Sequence, residues 1–274
     1  AQMIVYFPAQ IGALSSIFGV QFVSLFGIKA RYSNLIAILL VLFLLGINLI
    51  ATKFSSKMQS VITILKIIPI ALIIIWGLFN PVKIPAPIIP LPVGTGHSFL
   101  TAINQGLLSA LFAFEGWIVV TNLANEVKNP EKDLSRAIIL GLSAITLIYV
   151  LINYTFMTVL PIDQLTNNNN AAFQASMKLF GQFGGKLVTV GILISVDGAV
   201  NAFMLTGMRT PYILAQDNLL PFSNKIGKAN IHTGVPVVGA FIVDAIAIVM
   251  ILLGNFTVLT DMLVFVMWTF NTML

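Results

Sequence analysis

The sequence predicts an all-α protein built as a polytopic transmembrane helical bundle, and three observations predict it. The 274 residues are 58% hydrophobic and only 8% charged, with a mean hydropathy of +1.00. Apolar runs long enough to cross a bilayer recur from one end of the chain to the other. The stretches between them hold turn residues and scattered charges, with no inserted soluble domain. A water-soluble domain exposes far more charge, so lipid is the main solvent of this chain. The sequence has no cysteine, which excludes a disulfide framework and a thiolate metal site. Its net charge of +5 is spread over loops, which speaks for membrane orientation and against a nucleic-acid surface.

A spanning helix needs about 20 apolar residues, because the hydrocarbon is roughly 30 Å thick. Eight segments meet that demand. The first, about 3–28, is stopped by "GIKARYSN", and the second, about 33–51, by "TKFSSK". The third, about 58–79, ends at the Pro-rich "NPVKIPAPIIPLPVGTGH", a loop expected to lie on the membrane surface. The fourth, about 99–125, runs into "KNPEKD"; the fifth, about 135–160, runs into "PIDQLTNNNN". The sixth, about 183–208, precedes "PFSNKIGKANIHTG", and a bare "GN" separates 234–254 from 257–274. Residues 1–274 are read as one transmembrane domain. Both ends look cut, since "AQMIVYFPAQIGALSSIFGV" is neither a signal peptide nor a polar tail and "DMLVFVMWTFNTML" closes inside an apolar run. An internal stretch of a longer membrane protein is expected.

Lys and Arg set the orientation. One set of alternate loops receives Lys53, Lys57, Lys128, Lys132, Arg136, Arg209, Lys225 and Lys228; the other receives Lys29, Arg31, Lys83, Lys178 and Lys186. This excess places the 52–57, 126–134 and 209–233 loops in the cytoplasm, and the first segment then runs outward.

Four charged residues fall inside segments instead. Lys66 lies roughly 12 Å into the third, at 1.5 Å per helical residue. Glu115, Asp197 and Asp244 lie near the middle of theirs. An ionisable side chain at such depth costs at least about 2.5–3.5 kcal/mol, which makes each a candidate for function. The alternative for each is a protonated carboxyl or an interhelical pair that only fixes packing. Asp197 shares a face with Asn201 at i,i+4 and fits either reading. Asp244, among Val, Ile and Ala, is read as structural.

Glu115 differs because Gly116 follows it, with Phe112, Phe114 and Trp117 around the pair and Thr121, Asn122, Asn125 and Glu126 beyond. Glycine weakens a helix, and unwound backbone survives at membrane depth only where it lines a cavity or is buried in protein. Its free carbonyls and amides can hold ammonium and carboxylate groups. An intact helix, in which Gly116 merely admits a neighbour, is the other reading.

Two stretches favour the break through a resemblance. "FAFEGWIVVTNLANEVKNPEKDLSRAI" (Phe112–Ile138) resembles the sixth helix and following loop of amino-acid permeases of the APC superfamily, in particular the L-type exchanger branch. "GAVNAFMLTGMRTPYILAQDNLLPFSNKIGKANIHTGVPVVG" (Gly198–Gly239) is similar to that family's helix eight, its cytoplasmic loop and the start of helix nine, through Arg209, Tyr212, Ala215, Asp217, Leu220, Pro221 and Pro236. The resemblance implies a partial LeuT-type inverted repeat in which the eight segments are family helices three to ten. Helices one and two, including the Gly-rich break that holds the substrate carboxylate, would then lie outside these residues, and this stretch alone is not expected to transport.

The resemblance also implies a site. The break would fall at Phe112, Ala113, Phe114, Glu115 and Gly116, with carbonyls near Phe112 and Glu115 accepting the substrate's α-ammonium and the Phe112 ring as an outer gate. Glu115 would pair with a cationic substrate or accept a hydrogen bond from a hydroxyl. Lys66 would stand where sodium-coupled relatives bind their ion, with Ser195 or Asp197 on helix eight as its neighbour. Glu126, Arg136, Arg209 and Asp217 read as cytoplasmic ion pairs. Sodium-independent amino-acid exchange by alternating access is the function implied; proton-coupled symport on the same fold is the alternative. The implied partners are an amino acid and the lipid bilayer, with no nucleic acid, no cofactor and no metal; no accessory subunit is specified. An enzyme would need a nucleophile with its base, or a metal cluster. His97 and His232 lie in loops on opposite faces, which supports neither. A channel would show a repeated pore loop, and none is present. The expected location is the cell membrane.

Overall fold

The computed structural model describes residues 2–50, 67–79, 98–116, 129–166, 168–231 and 233–272. Regular structure among them is helical throughout. A π-helical turn, Gln2–Tyr6, leads into α1 (Phe7–Phe26), and a 3-10 turn, Ala30–Tyr32, leads into α2 (Ser33–Ile50). There follow α3 (Ile67–Phe79), α4 (Phe99–Ala113), α5 (Pro130–Val159), α6 (Ile162–Leu165), α7 (Ala171–Gly207), α8 (Arg209–Gln216), α9 (Ser223–Ile226), α10 (Val237–Leu253) and α11 (Phe256–Asn271).

Among the described residues four stretches are long and apolar enough to cross a membrane: Gln2–Phe26, Ala30–Ile50, Lys132–Val159 and Ala171–Gln216. Four shorter apolar helices, Ile67–Phe79, Phe99–Ala113, Val237–Leu253 and Phe256–Phe270, stand beside them. Each of the eight falls on one of the apolar segments of the sequence. Of the fourth segment, expected over 99–125, Phe99–Ala113 is helical and 114–116 is a turn, and 117–125 lie outside the described residues. The sixth, expected over 183–208, belongs to a helix that begins earlier, at Ala171, and is kinked at Gly181.

The chain divides into two compact units, Ala1–Leu72 with Asn167–Leu274, and Ile73–Thr166. In the first unit α1 is the central helix, packed against α2, α7, α10 and α11. Pro8 in its first turn fits where backbone N–H groups have no helical partner. Gly27 ends it at φ 67, so that its own N–H and that of Ile28 both return to the Val23 carbonyl. The burial of α1 is unusual in including Gln10, Ser15, Ser16 and Gln21. Ser16 Oγ donates to Gly12 O at 2.8 Å, and Gln21 Nε2 donates to Asn169 O at 3.1 Å, tying α1 to the approach to α7. Gly12 lets α10 close in at Ala247 and Ile251, while Gly19 lies against the Ser33 carbonyl at the start of α2. Small residues at such crossings are how membrane helices gain contact when lipid is as apolar as leucine. A buried polar bond adds to this: Asn48 Nδ2 on α2 donates to Asn201 Oδ1 on α7 at 2.9 Å.

Large apolar side chains turn outward instead at Leu35, Leu39, Leu42 and Phe43 on α2 and at Phe241, Val249 and Leu252 on α10. Such faces suit lipid contact. Within α7, Gly181 takes φ 68 and ψ −176, and Gly184 and Gly185 leave room for Phe180 and the Met177 backbone where the helix turns.

In the second unit the end of α3 meets α5 where Gly77 faces Thr155, with no space for a side chain between them. The 30 residues of α5 extend about 45 Å at 1.5 Å per residue. That exceeds the hydrocarbon thickness and carries the polar first turn beyond it.

Candidate functional site

Ser98 begins α4 from an extended conformation, its Oγ accepting the Thr101 N–H at 3.2 Å. Satisfying an orphan amide in this way is what serine does best at a helix start. Regular helix then runs without interruption to Ala113 and stops. Phe114 has φ −93 and ψ 4, and its N–H still reaches Ala110 O at 3.0 Å. The next amide tightens: Glu115 N donates to Phe112 O, three residues back, at 3.1 Å. Gly116 then takes φ +103, a backbone conformation that residues with a side chain rarely adopt. Residues 114–116 are a turn. The sequence places that turn in the middle of an apolar segment, where water cannot take over the released peptide groups.

One of those groups is met from α5. Tyr149 Oη donates to the Ala113 carbonyl at 2.8 Å. Its ring meets Phe114 edge-on, with centroids 5.3 Å apart and planes at 78°. A tyrosine inside an apolar helix needs a partner for its hydroxyl, and the end of α4 supplies one. The Asn153 amide, one turn on, donates back to the Tyr149 carbonyl at 2.8 Å. Phe112, Phe114, Glu115 and Gly116 are half-buried, and Ala113 is exposed. The Phe112 carbonyl accepts the Glu115 amide at 3.1 Å and is also approached by the Phe114 amide.

Of the five expected residues, Phe112 and Ala113 close α4 and Phe114, Glu115 and Gly116 form the turn after it, with Tyr149 against Ala113 and Phe114. Ser195 and Asp197 belong to the other unit, half-buried on α7. Two residues apart on a helix, they point to different sides of it. The Asp197 carboxyl has no hydrogen-bond or ion-pair partner among the described residues. Asn201, one turn on, is buried and joined to Asn48. Asp244 is buried on the side of α10 that also holds Ala240, Val243 and Ala247. Lys66, His97, Trp117 and His232 lie outside the described residues. Among the described residues no three His, Cys, Asp or Glu side chains gather as a metal site would require.

All 274 residues match the family described as Amino acid permease. The chain belongs to that family. Among its relatives, the serine/threonine exchanger SteT of Bacillus subtilis is 36% identical over 282 aligned residues, which cover 99% of this chain and 61% of that protein. The human cystine/glutamate transporter is 23% identical, with 98% of this chain and 54% of its own length covered. For the mouse b(0,+)-type amino acid transporter 1 the figures are 24%, 88% and 49%. This permease chain thus spans about half to three fifths of the length of the curated relatives it matches. The family is one of multi-pass membrane transport proteins of the cell membrane and not of enzymes, which agrees with the apolar helices. It is also the family that Phe112–Ile138 and Gly198–Gly239 resemble.

Sequence reading missed Tyr149. It lies in "ITLIYVLINYTF" and looks like any aromatic residue of a span. The only signal was a hydroxyl at membrane depth, which calls for an acceptor but does not say which.

Proposed function

We propose that the protein containing this chain is a secondary transporter that exchanges amino acids across the cell membrane without sodium. The observation that carries this reading is the end of α4 at Ala113, followed by the Gly116 turn at φ +103. Peptide groups released from a helix in hydrocarbon have lone pairs and N–H groups to offer a zwitterion. The carbonyls of Phe112 and Glu115 would accept the α-ammonium, and the Phe112 ring would close over it. Helix one of the whole protein would complete the site by holding the carboxylate. The substrate moves without chemical change as one helix bundle rocks against the other. Identity of 36% to a protein named as a serine/threonine exchanger supports exchange as the mode.

Lys66 has a place in the same scheme. A fixed ammonium at the level where sodium-coupled relatives bind their ion would hold the same carbonyls and make the mobile cation unnecessary. Ser195 and Asp197 on α7 are the proposed neighbours. The test is uptake of labelled serine by proteoliposomes of the full-length protein. Exchange predicts uptake only when unlabelled amino acid is inside and no response to a sodium gradient. Uptake into vesicles holding only buffer, driven by an inward proton gradient, would replace exchange by proton-coupled symport.

Two substitutions probe the site. Glu115→Gln keeps the shape and removes the charge. A charge-assisted hydrogen bond exceeds a neutral one by about 1 kcal/mol, so preference between arginine and serine should shift about fivefold against arginine in competition assays. An unchanged profile removes Glu115 from substrate contact. Tyr149→Phe keeps the ring on Phe114 and deletes only the bond to Ala113 O. Bonds between membrane helices are worth about 0.6–1.7 kcal/mol, so initial exchange should slow roughly three- to fifteenfold with the same amount of protein inserted. Full activity in that variant would make the bond incidental.

A further inference from the structure

The connection between α7 and α10 carries a surface that neither packing nor the proposed transport site uses. It leaves the membrane-length helix at Met208, runs through α8 and α9, and re-enters α10 at Val237. Along it Leu219 is 67% exposed, Phe222 77% and Ile231 96%. Ile213 on α8 is exposed as well. Large apolar side chains exposed so often along one connection point to a contact with something other than water.

The backbone goes out of its way to make this surface. Asn218 has φ 56 and Phe222 has φ 62, both in the left-handed region. Asparagine tolerates that region, whereas for a bulky residue such as phenylalanine it is an outlier. Strain of this kind persists only where the surroundings fix it, and it gathers where a segment has work to do. Here the surroundings are a tight hydrogen-bonded turn. The amides of Lys225 and Ile226 both return to Phe222 O, at 2.8 and 3.2 Å, and Gly227 N reaches Ser223 O at 2.8 Å. Ile226 is buried, and Gly227 beside it sits against Ala215 of α8. So the turn is pinned from inside while Phe222 stays outside.

Charge identifies the partner. Arg209, Lys225 and Lys228 are exposed on this connection against a single exposed carboxylate, Asp217. Exposed apolar groups interleaved with lysines suit neither bulk water nor the hydrocarbon centre. They suit the headgroup boundary, where apolar side chains sink among acyl chains and lysines reach up to anionic phosphates. The connection also joins the ends of two membrane helices, so it lies at that boundary. By its cation excess it lies on the cytoplasmic side, whose leaflet is the negatively charged one.

We propose that the Asp217–Ile231 turn is a lipid-docking surface, in which Leu219, Phe222 and Ile231 insert into the cytoplasmic leaflet while Lys225 and Lys228 bind anionic phospholipid headgroups. It anchors one side of the transporter to the bilayer independently of substrate.

The test uses the full-length protein with any cysteines outside this chain replaced, since the chain itself has none. Leu219→Cys or Ile231→Cys is labelled with a polarity-sensitive fluorophore and reconstituted into phosphatidylcholine vesicles with or without phosphatidylglycerol. Emission should shift to the blue, and nitroxide-labelled phosphatidylglycerol should quench it more strongly than nitroxide-labelled phosphatidylcholine. The double variant Lys225→Gln, Lys228→Gln should reduce that preference about fivefold or more. Phe222→Asn, which the left-handed backbone accepts, should weaken quenching while exchange activity shows the protein still folded. A label quenched by aqueous iodide and untouched by either lipid would overturn the proposal. So would equal quenching by both lipids that ignores the lysines, or a label shielded from lipid and water that cross-links to a second copy.

Discussion

Gly116→Val is expected to slow exchange roughly ten- to a hundredfold while leaving insertion and yield unchanged. Gly116 has φ +103, and a Cβ there would meet nothing within 4 Å among the described residues. The substitution therefore meets no clash from the described residues. Its effect there is on the backbone, where a side chain at positive φ costs about 1–3 kcal/mol, and valine belongs at the upper end of that range. Relieving the strain means re-forming helix past Ala113, which would consume the carbonyls proposed to hold the α-ammonium. Gly141→Ala provides the control. That glycine lies inside α5, also in open space, and alanine is the better helix former there by about 1 kcal/mol. Initial rates of counterflow per inserted molecule compare the two. Equal rates for Gly116→Val and the parent would show that the turn has no part in transport.

The second large effect concerns folding. Gly19→Leu should destabilise the α1–α2 pair by at least about 1–3 kcal/mol, the usual cost of overpacking a close crossing. A Cβ at Gly19 falls on the Ser33 carbonyl, which is backbone and cannot rotate away. The helices would have to separate, and α1 is the helix on which α2, α7, α10 and α11 all pack. A lower thermal midpoint in detergent, followed by size-exclusion chromatography, reads this directly. Gly46→Ala on α2, where nothing lies within 4 Å, should leave the midpoint where it was. If both variants melt alike, the packing described for α1 and α2 is not what holds this unit together.

Much of this could be read from residues alone, and the reasons are physical. Hydropathy reports the transfer of side chains from water, so the eight apolar segments stood out from "GIKARYSN", "KNPEKD" and the other separators. The Glu115-Gly116 pair stood out because neither residue suits the middle of a span. Where the helix would end was a different matter. Apolar residues continue through "WIVVTNL", and hydropathy is blind to the φ of one glycine, so 99–125 read as one element while α4 stops at Ala113. For the same reason the Gly181 kink stayed hidden: "GQFGGK" looks like the end of a loop when it is the bend of a helix already under way.

Contacts between distant residues were illegible. Asn48 and Asn201 are 153 residues apart in the chain, and Tyr149 is 36 residues from the carbonyl it binds. Nothing local pairs them. The burial of α1 did leave a trace in Gln10, Ser15, Ser16 and Gln21, since polar groups in a span favour a protein interior over lipid. That hint is statistical and names no neighbour.

On the proposed function, backbone freed at 112–116 grips an amino acid inside the membrane. A cryo-electron microscopy structure of the full-length protein with bound serine tests it most directly. The prediction is a ligand α-ammonium within hydrogen-bond distance, about 3 Å, of the carbonyls of Phe112 and Glu115, with Gly116 still at positive φ. Serine bound elsewhere, beside an unbroken helix running from Ser109 through Asn122, would contradict it.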